Sequence, residues 1–269
     1  GFQLALNMAS YMPPRDAKEA KKMINTFSDV IGFDPQKKLL DHLGSITCIY
    51  SDPSQELFGM GGGFGMAIAI EVKNPQKLKT GLNTILDKIK KLDKRNLVNI
   101  SRSVKQGREM VHVYAKEVPF GPAFCVDDKW LVIGLIPQTV EAFLLRLDGK
   151  LNRWKPSEEH LKALAELPKE YTSLSMSDPR QVYQLLFSIV PAYSGIIEML
   201  LRQEMRYKGK FPLKTSDLPP TEVVVKPMFP NFSVVTVDKD GFHAVSRSSV
   251  PSIDIGSIAV LQYIGLLLQ

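Results

Sequence analysis

The sequence predicts an α+β fold, with antiparallel sheets and helices packed on one face. Three observations carry that reading. First, four short apolar runs, Ile46–Tyr50, Met66–Val72, Leu131–Leu135 and Tyr171–Met176, end at Asp52-Pro53, Asn74-Pro75, Pro137 and Asp178-Pro179 and then turn amphipathic. Asp or Asn there accepts hydrogen bonds from the first N–H groups of a helix, and the following proline lacks only an N–H that would go unbonded anyway. Second, three hairpins are expected, around Lys105–Arg108, Asp127-Asp128 and Asp240-Gly241. Third, no single strand–helix–strand series runs through the chain, as a doubly wound parallel sheet requires.

In order, Phe2–Met8 reads as a strand, and Asp16 caps a helix to about Val30 with Ala17, Ala20, Met23, Ile24 and Phe27 on one face. Gly32 ends it. Asp34-Pro35 opens a short helix, Gln36–Leu43, closed by Gly44 where a left-handed residue usually sits. Strand Ser45–Ser51 follows, then a glycine-rich loop over 53–65, then strand Met66–Val72. Leu78, Leu82, Ile85, Leu86 and Ile89 make a helical stripe with lysines opposite. Leu97–Val104 pairs with Glu109–Lys116, and Phe120–Val126 with Lys129–Leu135, before helix Gln138–Leu147.

The second half repeats the theme. Helix Glu158–Leu167, strand Tyr171–Met176 and helix Arg180–Val190 precede Pro191 and a further helix, Ile196–Arg206. Residues 207–220 read as loop, Thr221–Val225 as a short helix, and Phe232–Asp238 with Phe242–Ser249 as a hairpin. The polar stretch Asp148–Lys155 divides residues 1–150 from 151–269, two halves that also fit one continuous domain. Ser51-Asp52-Pro53 matches Ser177-Asp178-Pro179. An ancient duplication accounts for the shared order of elements, and so does recurrence of common capping chemistry.

Composition excludes several classes. With 44% hydrophobic and 23% charged residues over 269 positions, the chain is globular and buries a core without staples. The net charge of +6 is spread over Lys18–Lys38, Lys88–Arg95 and Arg202–Lys214, which read as solvated helix faces. Nucleic-acid binding favours a dense stripe with interleaved aromatics, absent from Lys88–Arg95, so no nucleic-acid partner is expected. Cys48 and Cys125, both in strands, read as buried free thiols rather than as a disulfide. Gly1 ahead of Phe2–Met8, and the apolar Ile258–Leu268 at the other end, read as cut ends of a longer polypeptide.

No constellation signals chemistry, so no catalytic, cofactor-binding or metal-binding residue is assigned. The glycines of 59–65 precede a strand, whereas phosphate-binding loops follow one and open a helix. His42, His112, His160 and His243 stand far apart, and no HExxH, GxSxG or Ser-x-x-Lys motif occurs. Asp127-Asp128 and Glu158-Glu159 fit turn and helix-start chemistry. Trp130 reads as a strand core residue and Trp154 as a linker anchor. Tyr183, Phe187, Tyr193, Met199 and Met205 read as core packing or as an apolar partner surface.

Several segments carry a family resemblance: Gly32–Pro35 with Leu39–Gly44 ahead of a strand, Ala123–Gly134 ahead of a helix, and Leu218–Pro220 ahead of the hairpin ending Ser248–Pro251. In these the chain resembles a secreted or membrane-anchored family of unknown function abundant in planctomycete-type bacteria, whose members carry repeated pawal-D-d-wLvig strand pairs. The resemblance implies export, with a signal or membrane anchor outside this segment, and supplies no catalytic residues.

The expected function is a non-enzymatic extracytoplasmic binding or structural module, in the cell envelope or secreted, whose partner is an envelope protein or an apolar ligand. Two alternatives stay open. One is an apolar-ligand or lipid carrier. The other is a hydrolase-like enzyme with a site assembled from distant residues, His112 or His243 with nearby carboxylates.

Overall fold

The computed structural model describes residues 32–52, 65–118, 120–184, 187, 219–239 and 241–249. Several expected elements lie outside those residues: strand Phe2–Met8, the Asp16 helix, the glycine-rich loop before Gly65, Ile196–Arg206, the loop over 207–218 and the apolar terminus. The described chain forms two compact units, one ending at Arg153 and the other starting at Trp154. The fold is α+β, with a six-stranded and a three-stranded antiparallel sheet.

In the first unit, α1 (Pro35–Lys38) is capped by Asp34, whose Oδ1 accepts from Gln36 N at 2.9 Å. A 3-10 turn, Leu40–His42, follows. The single helix expected over Gln36–Leu43 is thus two pieces. Gly44, expected as its left-handed cap, already belongs to strand β1 (Leu43–Ser51), and positive φ occurs instead at Gly32 and Gly149.

Strand β2 (Met66–Val72) leads into α2 (Pro75–Leu92), where Asn74 Oδ1 accepts from Lys77 N at 3.0 Å. Strands β3 (Val98–Lys105) and β4 (Arg108–Ala115) form a hairpin over Gln106-Gly107. Both turn residues take positive φ, 52° and 73°, the conformation that matches strand twist in a two-residue loop. Strands β5 (Ala123–Val126) and β6 (Trp130–Gly134) are joined through Asp127, Asp128 and Lys129, with Asp127 N donating to Trp130 O at 2.8 Å, and α3 (Pro137–Leu147) follows. No side chain caps α3, because Ile136 holds that position.

The strand order β1-β2-β6-β5-β4-β3 puts the first strand at one edge and the third at the other. Register then fixes the faces. Side chains alternate along a strand, so Cys125 and Val132 point one way while Val126 and Leu131 point the other. The first face packs Met110, Ala123, Cys125 and Val132 against Val140 and Leu144 of α3. The opposite face packs Val72, Val126 and Leu131 against Leu78 of α2.

Helices therefore cover both faces, not one. An amphipathic stripe shows that a helix is covered on one side; it does not say which side of the sheet covers it. Each fully buried Leu or Val contributes about 1.5–3 kcal/mol, so both clusters are structural cores. Trp130, expected inside a strand core, is half-buried and packs against the rim of the first cluster.

The second unit holds α4 (Glu158–Ala165), β7 (Ser173–Ser177), helix over 179–184, α5 (Thr221–Val225) and the hairpin β8 (Asn231–Asp238) and β9 (Gly241–Arg247). Its sheet order is β7-β8-β9, with Ala163, Leu167, Phe232 and Val234 as core. Here β7 pairs directly with the hairpin, whereas in the first unit β1 pairs with β2. No helix among the described residues is long and apolar enough to cross a membrane.

Candidate interaction surface

The two edges of the six-stranded sheet differ in chemistry. β1 reads Leu-Gly-Ser-Ile-Thr-Cys-Ile-Tyr-Ser, nine residues without a charge or a proline. Ser45 through Ile49 are all exposed; Ile46 keeps 52% of its surface in solvent and Ile49 57%. Among the described residues no strand pairs with its outer side. Such an edge offers a row of backbone donors and acceptors, which proteins usually blunt with charge, proline or cover. Its single irregularity lies between Leu43 and Thr47, where the register with β2 shifts.

The β3 edge is blunted. Arg102 is 3.0 Å from Glu109 and donates to Asn83 Oδ1 at 2.8 Å, and Lys105 pairs with Glu141 at 3.0 Å. Val104 is exposed there, but it stands between those two cations.

The far end of β1 is anchored from inside. Asp52 is buried, and its Oδ2 lies 2.6 Å from Arg146 Nη2 of α3. Asp52 N donates to Gly65 O at 2.9 Å. A Cβ on Gly65 would stand 2.2 Å from Asp52 O, so only glycine lets the two backbones approach. Tyr50 stacks on Phe143 of α3, centroids 6.4 Å apart. Its hydroxyl is buried without a hydrogen-bond partner. Burial pushes that phenol up to about 12, against the pull of Arg146.

A second ionic hub is structural. Arg108 holds Asp127 at 3.2 Å and Asp148 at 2.9 Å, tying the β3–β4 turn to the β5–β6 turn and the end of α3. Asp127, singled out as half of a paired carboxylate, is thus a turn residue with a cationic partner.

The four histidines sit on four different elements, two in each unit. His42 ends the 3-10 turn, and its carbonyl accepts from Lys73 N at 2.8 Å. His112 sits on β4, stacked on Tyr114 at 4.6 Å with Nε2 buried and without a partner. Burial holds its imidazole below the ordinary value, opposed by a hydrogen bond with the Gly121 backbone. His243 is on β9 in the other unit and is exposed. His160, in α4, is 2.6 Å from Ser157 Oγ and lies edge-on to Trp154 and Phe232 at 5.5 and 5.8 Å.

Ser157 is the N-cap of that helix, its oxygen facing His160 N, so this pair belongs to the cap rather than to a nucleophile and base. Next to it, Arg180 bridges Asp178 at 2.7 Å and Glu159 at 3.1 Å. Burial works to raise Asp178, but the Arg180 hydrogen bonds outweigh it and hold the carboxyl below its usual range. Trp154, expected as a linker anchor, is 61% exposed at the start of the second unit.

The two thiols separate. Cys125 is buried, as expected, and burial pushes it up to about 11. Cys48 is exposed, against expectation, because β1 is an edge strand. Both are free. No group of three His, Cys, Asp or Glu residues able to hold a metal ion occurs among the described residues. A cleft between α2 and the sheet, lined by Leu82, Val111, Phe124 and Val126 with Lys79, Asn83 and Glu109, offers about 20 Å³, room for one water.

Comparison with protein-family models, with curated proteins and with solved structures finds no match for this chain. Sequence reasoning placed Ser45–Ser51 in a strand and Cys48 inside it, but not at the edge of a sheet. The available signal was the uncharged run Leu43–Ser51, which reads equally well as an interior strand.

Proposed function

We propose that this protein is a non-enzymatic binding module that acts outside the cytoplasm and engages an extended polypeptide by adding it as a strand along β1. The observation that carries this reading is an edge left unpaired among the described residues: nine residues, no charge, and side chains exposed from Ser45 through Ile49. Strand addition draws affinity from main-chain hydrogen bonds and specificity from alternate side chains. Here those side chains are Thr47 and Ile49 on one face and Cys48 and Tyr50 on the other. The extracytoplasmic placement is supported by the sequence resemblance described above.

The test is hydrogen exchange on purified protein with and without envelope extract from the source cells. Outward-pointing amides of β1 should slow when the extract is added, and Ile49→Lys should abolish the slowing. If β1 exchanges at the same rate under every condition while another surface becomes protected, the edge is not the binding site.

A further inference from the structure

We propose that a second copy of this chain occupies the β1 edge, the two β1 strands pairing antiparallel about a two-fold axis so that six strands from each copy form one sheet. The inference rests on the reading of β1 as an interaction edge and identifies its occupant.

A two-fold contact is isologous, so the strand must complement its own sequence read backwards. Like charges directly opposite destabilise a strand pair, and a chain of net charge +6 needs a seam free of cations. Leu43–Ser51 provides one: it has no charged residue at all. Antiparallel pairing within one sheet keeps each face continuous, setting Thr47 and Ile49 beside their counterparts on one side and Cys48 and Tyr50 on the other. β-branched and aromatic pairs of this kind contribute roughly 0.2–1 kcal/mol each.

The other edge explains why assembly would stop at two. A β1-to-β3 contact would be head-to-tail and open-ended. It would also bring Arg102 and Lys105, with Glu109 and Glu141 bound to them, against an uncharged strand.

The position of Cys48 makes the arrangement measurable. Whichever of Thr47, Cys48 or Ile49 lies on the axis, the two Cys48 residues are directly opposite or one diagonal apart on the same face, about 4.5–8 Å. A short bis-maleimide then bridges them, each thiol adding across one maleimide double bond, with no oxidant required. The reaction is run at mildly alkaline pH, because atoms around the sulfur raise the Cys48 thiol above 9.0. Cys125 is buried and does not compete.

The experiment combines light scattering over a concentration series with this cross-linking. Wild type should shift from one copy to two as concentration rises, and should cross-link. Cys48→Ser should lose the cross-link and keep the dimer; Cys125→Ser should keep both. Ile49→Lys should weaken dimerisation by roughly tenfold or more, because it sets two cations at the seam. Circular dichroism and a thermal melt check that it folds, with Thr47→Glu as a second variant should it fail. A wild type that stays a single copy without cross-linking overturns the proposal, as does a dimer indifferent to both β1 substitutions. If that single copy shows β1 protection only with envelope extract, the second copy is ruled out and the edge reading survives; protection under neither condition ends both.

Discussion

The two edges of the six-stranded sheet have comparable lengths, nine residues in β1 and eight in β3, and opposite chemistry. β3 places Arg102 and Lys105 on its strand and holds each with a carboxylate from a neighbouring element. β1 has no charge and leaves Ile46 and Ile49 in solvent. Among the described residues each pairs with a strand on one side only. What distinguishes them is side-chain chemistry: β3 carries two cations held in ion pairs on its strand, and β1 carries no charged side chain.

Moving that chemistry from one edge to the other should have the largest effect. The double substitution Arg102→Val with Lys105→Val leaves β3 as apolar as β1, and light scattering should then show open-ended assemblies in place of discrete species. If the double variant remains as dispersed as wild type, charge is not what closes that edge.

The comparison also requires both sheet faces to be sealed, so that only the edges remain for pairing. Leu144→Ala on one face and Leu78→Ala on the other should each cost about 2–5 kcal/mol by chemical denaturation, since both side chains are fully buried. A near-neutral result for one of them would mean that one face is not a core.

Smaller effects separate the anchors of the two edges. Asp52→Asn breaks a buried contact with Arg146 and should cost about 1–3 kcal/mol while loosening the end of β1. Glu109→Gln, its counterpart on the β3 side, removes a more exposed pair and should cost about 0–1 kcal/mol. Equal losses would show that the β1 anchor is no more than a surface pair.

The mildest prediction concerns acid. His112 on β4, next to the β3 edge, has its folded pKa held below the ordinary 6.5, chiefly by burial. The unfolded chain therefore binds a proton more readily. Its contribution is fully present above 6.5 and is lost as pH falls from there through the lower folded value. A stability-versus-pH series should show a shallow decline over that range, flattened in His112→Gln. An identical slope in that variant would assign the decline to another group.

Much of the fold was legible because its signals are local. Gln106-Gly107 marks its reversal by turn chemistry that needs no partner, and Asn74 and Asp34 cap the helices their prolines announce. The β8–β9 hairpin forms where expected, but Gly241 pairs with Asp238 as the first residue of β9, so this glycine belongs to the strand and not to the turn. Which face each helix covers was not legible. That α2 lies opposite α3 depends on the sheet order, and β2 pairs with β6 across more than fifty residues of sequence.

The same non-locality hid the candidate site. Ser45–Tyr50 is apolar enough for an interior strand, and only its place at the end of the order exposes Cys48 and Ile49. Tyr50, Asp52 and Arg146 come together from separated segments, so no spacing in the chain foretells them. Ser157 and His160 are near in sequence, and their proximity is accounted for by the helix cap.

The most direct test compares backbone exchange at the two edges within one sample. Mass-spectrometric hydrogen exchange on wild type over a range of protein concentrations should show the outward amides of Ser45–Tyr50 slowing as copies meet, while those of Asn99–Val104 stay fast throughout. Equal behaviour of the two edges at every concentration would contradict the account.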